Sequence, residues 1–326
     1  MKLDLKTIKS ISVSALEVTE CEDGIHFSRF TKKQLAAWDV LREGVGERSR
    51  YSSGVHLDFH TNSKKLRFLA ATCTMYDVCI NGLLRTSVNM HEQRKLGAPA
   101  EIELCDPLGH ELDDVRVTIY FPRGNFPVVL STLELDDGAY VKPHEFDYKF
   151  LFLGDSITAG CNAEHHSFCY SYAISNFFNA ESLNQSVGGG VFDISCLDEM
   201  DFAPDTVIIA MGTNDYNHFT TAEDMESHVR DYISEVKDRF STTAKRFIVI
   251  SPIWRADLDF DRPMGTFEQA RDIVIRAAED NGMIHVDGLT LVPPAREFYQ
   301  DEYLHPNDIG FALYTQNLLK QIIKYF

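Results

Sequence analysis

Three apolar runs constrain this chain more than any other feature. They are Phe150-Leu151-Phe152-Leu153, Val207-Ile208-Ile209-Ala210-Met211 and Phe247-Ile248-Val249-Ile250. A strand apolar at successive positions has no face to offer water, so it belongs in a parallel sheet covered by helices on both sides. Met283-Ile284-His285-Val286 is a weaker run of the same kind. Between the runs lie stretches of helical length. Ala222 to Phe240 sets Met225, Val229, Ile233 and Val236 three and four residues apart, which predicts a helix with one buried face. Phe267 to Glu279 and Ile309 to Tyr325 read likewise. Strands alternating with helices give a doubly wound α/β domain, whose ligands sit outside the carboxyl ends of the strands.

The first half is written differently. Val55 to Phe59 alternates apolar and polar residues, the mark of a half-buried strand. Leu66 to Leu69, Tyr76 to Ile80, Val115 to Tyr120, Val128 to Leu130 and Thr132 to Leu135 continue the series. The Asn81-Gly82 pair predicts a hairpin turn, because both residues tolerate positive φ, and 122–125 predicts a break. Closely spaced strands with regular turns predict an all-β sandwich or jelly roll. The 326 residues suit two domains at roughly 150 residues each. The expected division is 1–145 and 146–326, with no internal repeat.

Charge narrows the partners. Lys plus Arg number 31 against 49 acidic residues, a net charge of −18. Such a surface repels phosphate backbones and anionic lipid, so neither nucleic acid nor a membrane is expected, and neutral or cationic small substrates are slightly favoured over anionic ones. No run reaches the roughly 18 to 20 apolar residues of a membrane-spanning helix. Residues 1–18 alternate charged and apolar side chains without the apolar core of a secretory signal, although a signal already removed would leave the same picture. The cysteines, Cys21, Cys73, Cys79, Cys105, Cys161, Cys169 and Cys196, are odd in number, scattered and free of any CxxC spacing. Neither a disulfide framework nor a cysteine zinc site is signalled, and the expected compartment is the reducing cytoplasm.

Chemistry is therefore sought just after each apolar run. Gly154-Asp155-Ser156-Ile157-Thr158 follows the first. It is not a phosphate-binding loop, since no Lys-Ser/Thr follows the glycines, and it lacks the Gly-x-Ser-x-Gly nucleophile elbow. On its own it reads equally as a turn with a capping serine. Gly188-Gly189-Gly190 follows 181–187, where glycine lets a backbone N–H approach a ligand closely, or simply makes a turn. Gly212-Thr213-Asn214-Asp215 follows the second apolar run, and its asparagine either donates to developing negative charge or caps a helix. Before the last helix stands Asp301-Glu302-Tyr303-Leu304-His305-Pro306, a histidine with acids upstream and a loop-fixing proline downstream. His165, His166 and Cys169 lack a second ligand set and read as a helix start rather than a metal site.

These blocks, in this order over residues 148 to 326, resemble the SGNH, or GDSL, hydrolase family. The resemblance implies a flavodoxin-like α/β/α sandwich that hydrolyses esters without metal or cofactor. It implies Ser156 as nucleophile, His305 as general base, and an oxyanion hole made by Gly189, Asn214 and the backbone N–H of Ser156. The family's acid usually lies three residues before the histidine, which here is Glu302. Asp301, one residue earlier, is the rival, and a Ser–His dyad held by a backbone carbonyl is the third option; the expectation leans to Glu302. Asp155 and Trp254 are the candidates for substrate contact, Trp254 either stacking on a sugar ring or filling the core. A β domain ahead of an SGNH domain is similar to the two-domain carbohydrate esterases of family 2. The expectation is thus a serine esterase removing small acyl groups, acetyl on a carbohydrate first. A lipid or thioester acylhydrolase of the same fold and a weakly catalytic glycan-binding protein are the alternatives, and oligomeric state is left open.

Overall fold

A computed structural model describes residues 1–72, 74–122 and 126–326; Cys73 and the core of the expected break at 122–125 lie outside the described residues. The three apolar runs form the strands Tyr148–Gly154, Thr206–Ala210 and Arg246–Ile250. Ala180–Ser186 and Ile284–Val286 complete a five-stranded sheet in which every pair is parallel. In chain order its strands run 2-1-3-4-5 across the sheet, the flavodoxin-type order. The first and third strands flank the switch point where such sheets bind ligands, and residues following them carry the candidate serine and asparagine.

Successive side chains of each strand alternate between two cores, which is why the runs are apolar throughout. Leu151, Leu153, Val207 and Ile209 point to one face, covered by helices Ala222–Phe240 and Phe267–Asp280. Phe150, Phe152, Ile208 and Ile250 point to the other, where helices Tyr170–Phe177 and Asp308–Ile322 pack. The helix starts are set by capping: Thr221 accepts from the Asp224 N–H, Thr266 and Gln269 form a reciprocal capping box, and Asn307 accepts from the Gly310 N–H.

The first half forms two antiparallel five- and six-stranded sheets enclosing one apolar core. The Asn81-Gly82 turn joins Met75–Ile80 to Leu83–Asn89 with φ of 50° and 80° at its two central residues, as the dipeptide predicted. The two runs expected at 128–135 are one strand, Val129–Leu135, interrupted by a register shift between Leu130 and Thr132. This half is not strands alone. A helix at Lys32–Leu41, begun by a Thr31/Gln34 capping box, and a single turn at Val45–Ser49 lie between strands. They bring Trp38 and Val45 against Val187 of the other half. Further ties cross between the halves. The buried Arg29 guanidinium donates to the carbonyls of Asn184 (2.5 Å) and Ser186 (3.0 Å), and Gln34 exchanges hydrogen bonds with Gln185. These contacts grip the second parallel strand immediately before its glycine loop. No helix among the described residues is long and apolar enough to cross a membrane, and Cys21, Cys79, Cys105 and Cys196 are free thiols.

Candidate active site

The chain leaves the first parallel strand through a turn that only glycine permits at position 154. A Cβ there would lie 2.2 Å from Thr158 Oγ1. Asp155 then closes the turn, its Oδ1 accepting from the Ile157 N–H (2.9 Å), and Ser156 follows at its crest, 7% exposed. The Ser156 hydroxyl lies 2.8 Å from His305 Nε2. His305 Nδ1 lies 2.6 Å from Asp301 Oδ2, so serine, imidazole and carboxylate form a continuous chain.

The carboxylate that meets His305 is that of Asp301, not of Glu302, to which the expectation leaned, and the turn geometry sets this. Asp301 Oδ1 accepts the backbone N–H groups of Tyr303, Leu304 and His305 at 3.0, 2.8 and 3.0 Å, folding the loop around its own carboxylate. Glu302 sits at the tip of that loop with φ +54°, exposed, and no hydrogen bond or ion pair joins its side chain to a described residue. Partial burial works to raise the Asp301 carboxyl. The Leu304 N–H, the His305 ring and the other backbone donors outweigh it and hold the group below its ordinary value, hence ionised beside the imidazole. The backbone-carbonyl alternative is not what the ring meets.

Two further strand ends close on the serine. The glycine loop turns back under it, with the Val187 N–H on Gly154 O (2.9 Å), and a Cβ on Gly188 would come within 3.9 Å of Ser156 Cβ. Gly189 has φ +81°, a left-handed conformation suited to glycine. Asn214 donates through Nδ2 to Gly190 O (3.1 Å), leaving its second amide hydrogen for the site. Asp215 pins the same loop from beneath, accepting the Phe192 N–H at 2.9 Å. Burial pushes the Asp215 carboxyl up to about 7. Among the described residues the N–H groups of Ser156 and Gly189 have no hydrogen-bond acceptor. The glycine loop thus lies against Ser156 at Gly188 and is held by Asn214 at Gly190, so contacts from three separate strand ends meet in this loop.

Asp155 and Trp254 are placed differently from expectation. Asp155 is only 2% exposed, with its carboxyl turned inward and pushed up to about 7 by burial. It borders a void of about 10 Å³, room for a single water, shared with Thr213, Ser251 and Tyr314. It shapes the serine turn from below and offers substrate no surface. Trp254 is half-buried, its ring 4.8 Å from that of Tyr299 in the core beneath the histidine loop, which is the core reading of that residue. His165, His166 and Cys169 do not converge: His165 pairs with Asp308 (2.7 Å), His166 bonds to Met75 O, and Cys169 is buried.

The residue that sequence reading passed over is Arg255. Buried to 1%, it bonds Thr213 O (2.9 Å), Asp257 (2.5 and 3.1 Å) and the Tyr303 hydroxyl (2.6 Å). One guanidinium therefore locks the asparagine loop to the histidine loop. Its signal was present, since Trp254-Arg255-Ala256-Asp257 follows the fourth strand and pairs opposite charges two residues apart.

Residues 152–313, close to half of the chain, match the sequence profile of the GDSL-like Lipase/Acylhydrolase family. Comparison with the curated proteins finds no match. Among solved structures, a salicylyl-acyltransferase, SsfX3, from a tetracycline biosynthetic pathway superposes with a TM-score of 0.77 at 19% identity, over 96% of this chain and 94% of that one. A family two carbohydrate esterase from Cellvibrio japonicus gives 0.64 at 16% identity over 99% and 97%. An acetyl xylan esterase, Est2A, from Butyrivibrio proteoclasticus gives 0.60 at 15% identity over 100% and 98%.

Proposed function

From the premise that segment 152–313 makes this protein a GDSL-type serine ester hydrolase, we propose that it removes small acyl groups, acetyl foremost, from a carbohydrate through Ser156, His305 and Asp301. The observation that carries the reading is the unbroken chain from Ser156 Oγ through His305 to Asp301, at 2.8 and 2.6 Å.

The chemistry follows from that order. Asp301, ionised, accepts the Nδ1 proton of His305 and so leaves Nε2 unprotonated toward the serine. His305 takes the hydroxyl proton as Ser156 attacks the acyl carbonyl, then returns it to the departing alcohol. Negative charge develops on the carbonyl oxygen, where the N–H groups of Ser156 and Gly189 and the Asn214 amide receive it. Water then attacks the acyl-enzyme by the same relay. These donors are held by the strand framework before reaction, so little reorganisation opposes the step.

In this reading the division at about residue 146 separates labour: the parallel-sheet half holds the serine, histidine and acid, while the antiparallel half braces the glycine loop. The carbohydrate assignment draws support from the two esterase structures named above, and the short acyl group from the lack of a long apolar lid segment in the sequence. The test is a rate comparison across acetylated sugars, 4-nitrophenyl esters of increasing chain length, and thioesters. Acetyl esters are expected to give the highest kcat/KM, falling at least about tenfold by octanoate; a maximum at long chains or at thioesters would overturn the assignment.

A further inference from the structure

The Val45–Ser49 turn of the antiparallel half sends one arginine into the catalytic site. A Cβ on Gly188 would lie 3.2 Å from Arg48 Cδ and 3.9 Å from Ser156 Cβ, so the arginine and the nucleophile face the same glycine from two sides. A Cβ on Gly189 would lie 3.2 Å from Arg48 Nη2 and one on Gly44 3.5 Å from it, which seats the guanidinium between the two glycines. Both positions have positive φ, and both leave the space a side chain would otherwise fill.

Among the described residues this guanidinium has no hydrogen-bond or ion-pair partner. No salt bridge and no side-chain hydrogen bond joins Arg48 to any described residue, and its Nε is buried without an acceptor. Two other arginines of this half hold protein partners: Arg29 bonds backbone carbonyls at Tyr51, Asn184 and Ser186, with only its Nη2 left without an acceptor, and Arg50 forms a two-point pair with Asp39. A chain with 49 acidic residues had carboxylates to spare for Arg48 and supplies none. A partly buried guanidinium left unpaired costs free energy unless a ligand completes it, and its fork of donors matches a carboxylate best.

Resting on the serine ester hydrolase reading above, we propose that Arg48 recognises an anionic group, a carboxylate or its like, carried by the ester substrate. The net charge of −18 does not oppose this. Long-range repulsion is screened within about 10 Å at ordinary ionic strength, while a pair formed inside the site acts at contact distance in a lower dielectric. The global field lowers the rate of encounter, and the local contact selects the molecule. The anion belongs either to the acyl group or to the alcohol, and matched substrates separate the two sources.

The experiment compares wild type with Arg48→Ala, Arg48→Gln and Arg48→Lys on two pairs of esters. One pair is 4-nitrophenyl hemisuccinate against 4-nitrophenyl butyrate, with the charge on the acyl side. The other is 4-acetoxybenzoate against 4-acetoxybenzamide, with the charge on the alcohol side. The preference for the charged member in at least one pair, as a ratio of kcat/KM, is expected to fall about 10- to 100-fold in Arg48→Ala and Arg48→Gln. The loss should enter mainly through KM, and Arg48→Lys should recover part of it. If both ratios stay constant while all rates drop together, Arg48 acts on the reacting carbonyl or on the fold, and the proposal is overturned with the esterase reading intact. If wild type hydrolyses no ester, the esterase reading fails; calorimetric binding of succinate to wild type but not to Arg48→Ala would still support anion recognition, and equal or absent binding to both would end it.

Discussion

Replacing Asp301 by asparagine exchanges one heavy atom and leaves the loop's own hydrogen bonds in place. An asparagine Oδ1 can still accept the N–H groups of Tyr303, Leu304 and His305, so the fold should survive with little change in Tm. What changes is the atom facing His305 Nδ1 at 2.6 Å. An amide nitrogen there donates instead of accepting. It forces the ring proton onto Nε2, toward Ser156, where the serine needs an acceptor. The imidazolium formed during attack also loses its adjacent negative charge. The combined loss expected for such a tautomer reversal is about 10³ to 10⁴ in kcat, or about 4 to 5.5 kcal/mol of transition-state stabilisation. Glu302→Gln, at the exposed loop tip, should stay within about twofold of wild type. The assay is hydrolysis of 4-nitrophenyl acetate normalised to folded protein, with thermal unfolding of each variant as a control. Retention of more than a tenth of the activity in Asp301→Asn, or an equal loss in Glu302→Gln, would refute the assignment of the acid.

Gly189→Ala places a Cβ 3.2 Å from Arg48 Nη2 at a φ of +81°, so the loop must shift and its N–H leave its position. Turnover is expected to fall about 10²-fold or more, and activity near wild type would remove Gly189 from the oxyanion site. Asp215 and Asp155, each raised to about 7 by burial, give a stability trend of definite sign. Below pH 4 the folded and unfolded chains both hold these protons. Between about 4 and 7 the unfolded chain releases them while the folded chain keeps them, so stability falls as pH rises and then levels off. Asp215→Asn keeps the acceptor for the Phe192 N–H and should flatten that fall by up to about 4 kcal/mol between pH 4 and 8 in urea titrations, whereas an unchanged slope would mean Asp215 is ionised throughout.

Much of the catalytic half was legible because its signals are local. Apolar runs buried on both faces announce themselves, and helix boundaries followed from period at Ala222–Phe240 and, to within one residue, at Phe267–Asp280. Ser156 and Asn214 stood out because each follows an apolar run whose end the sequence marks, and His305 because it stands between acids and a proline just before the last helix. What escaped depended on backbone conformation or on distant contacts. Choosing Asp301 over Glu302 required knowing that the loop wraps around the shorter carboxylate and leaves Glu302 in a left-handed conformation. Asp155 looked like a surface ligand because a turn residue beside a nucleophile reads the same whether its side chain points in or out. The Lys32–Leu41 helix was announced by Thr31 and Gln34 at capping-box spacing, a signal masked by the surrounding strand pattern. Arg48 could not be found from sequence, since a five-residue helical turn has too little periodicity to show its face and its target lies about 140 residues away.

The central claim is that Ser156 is an activated nucleophile. A fluorophosphonate probe, followed by peptide mass spectrometry, tests it without knowledge of the natural substrate. One modified site is expected, on Ser156, with labelling lost in Ser156→Ala and slowed in Asp301→Asn. Modification of a different serine, or none in protein shown to be folded, would contradict the account.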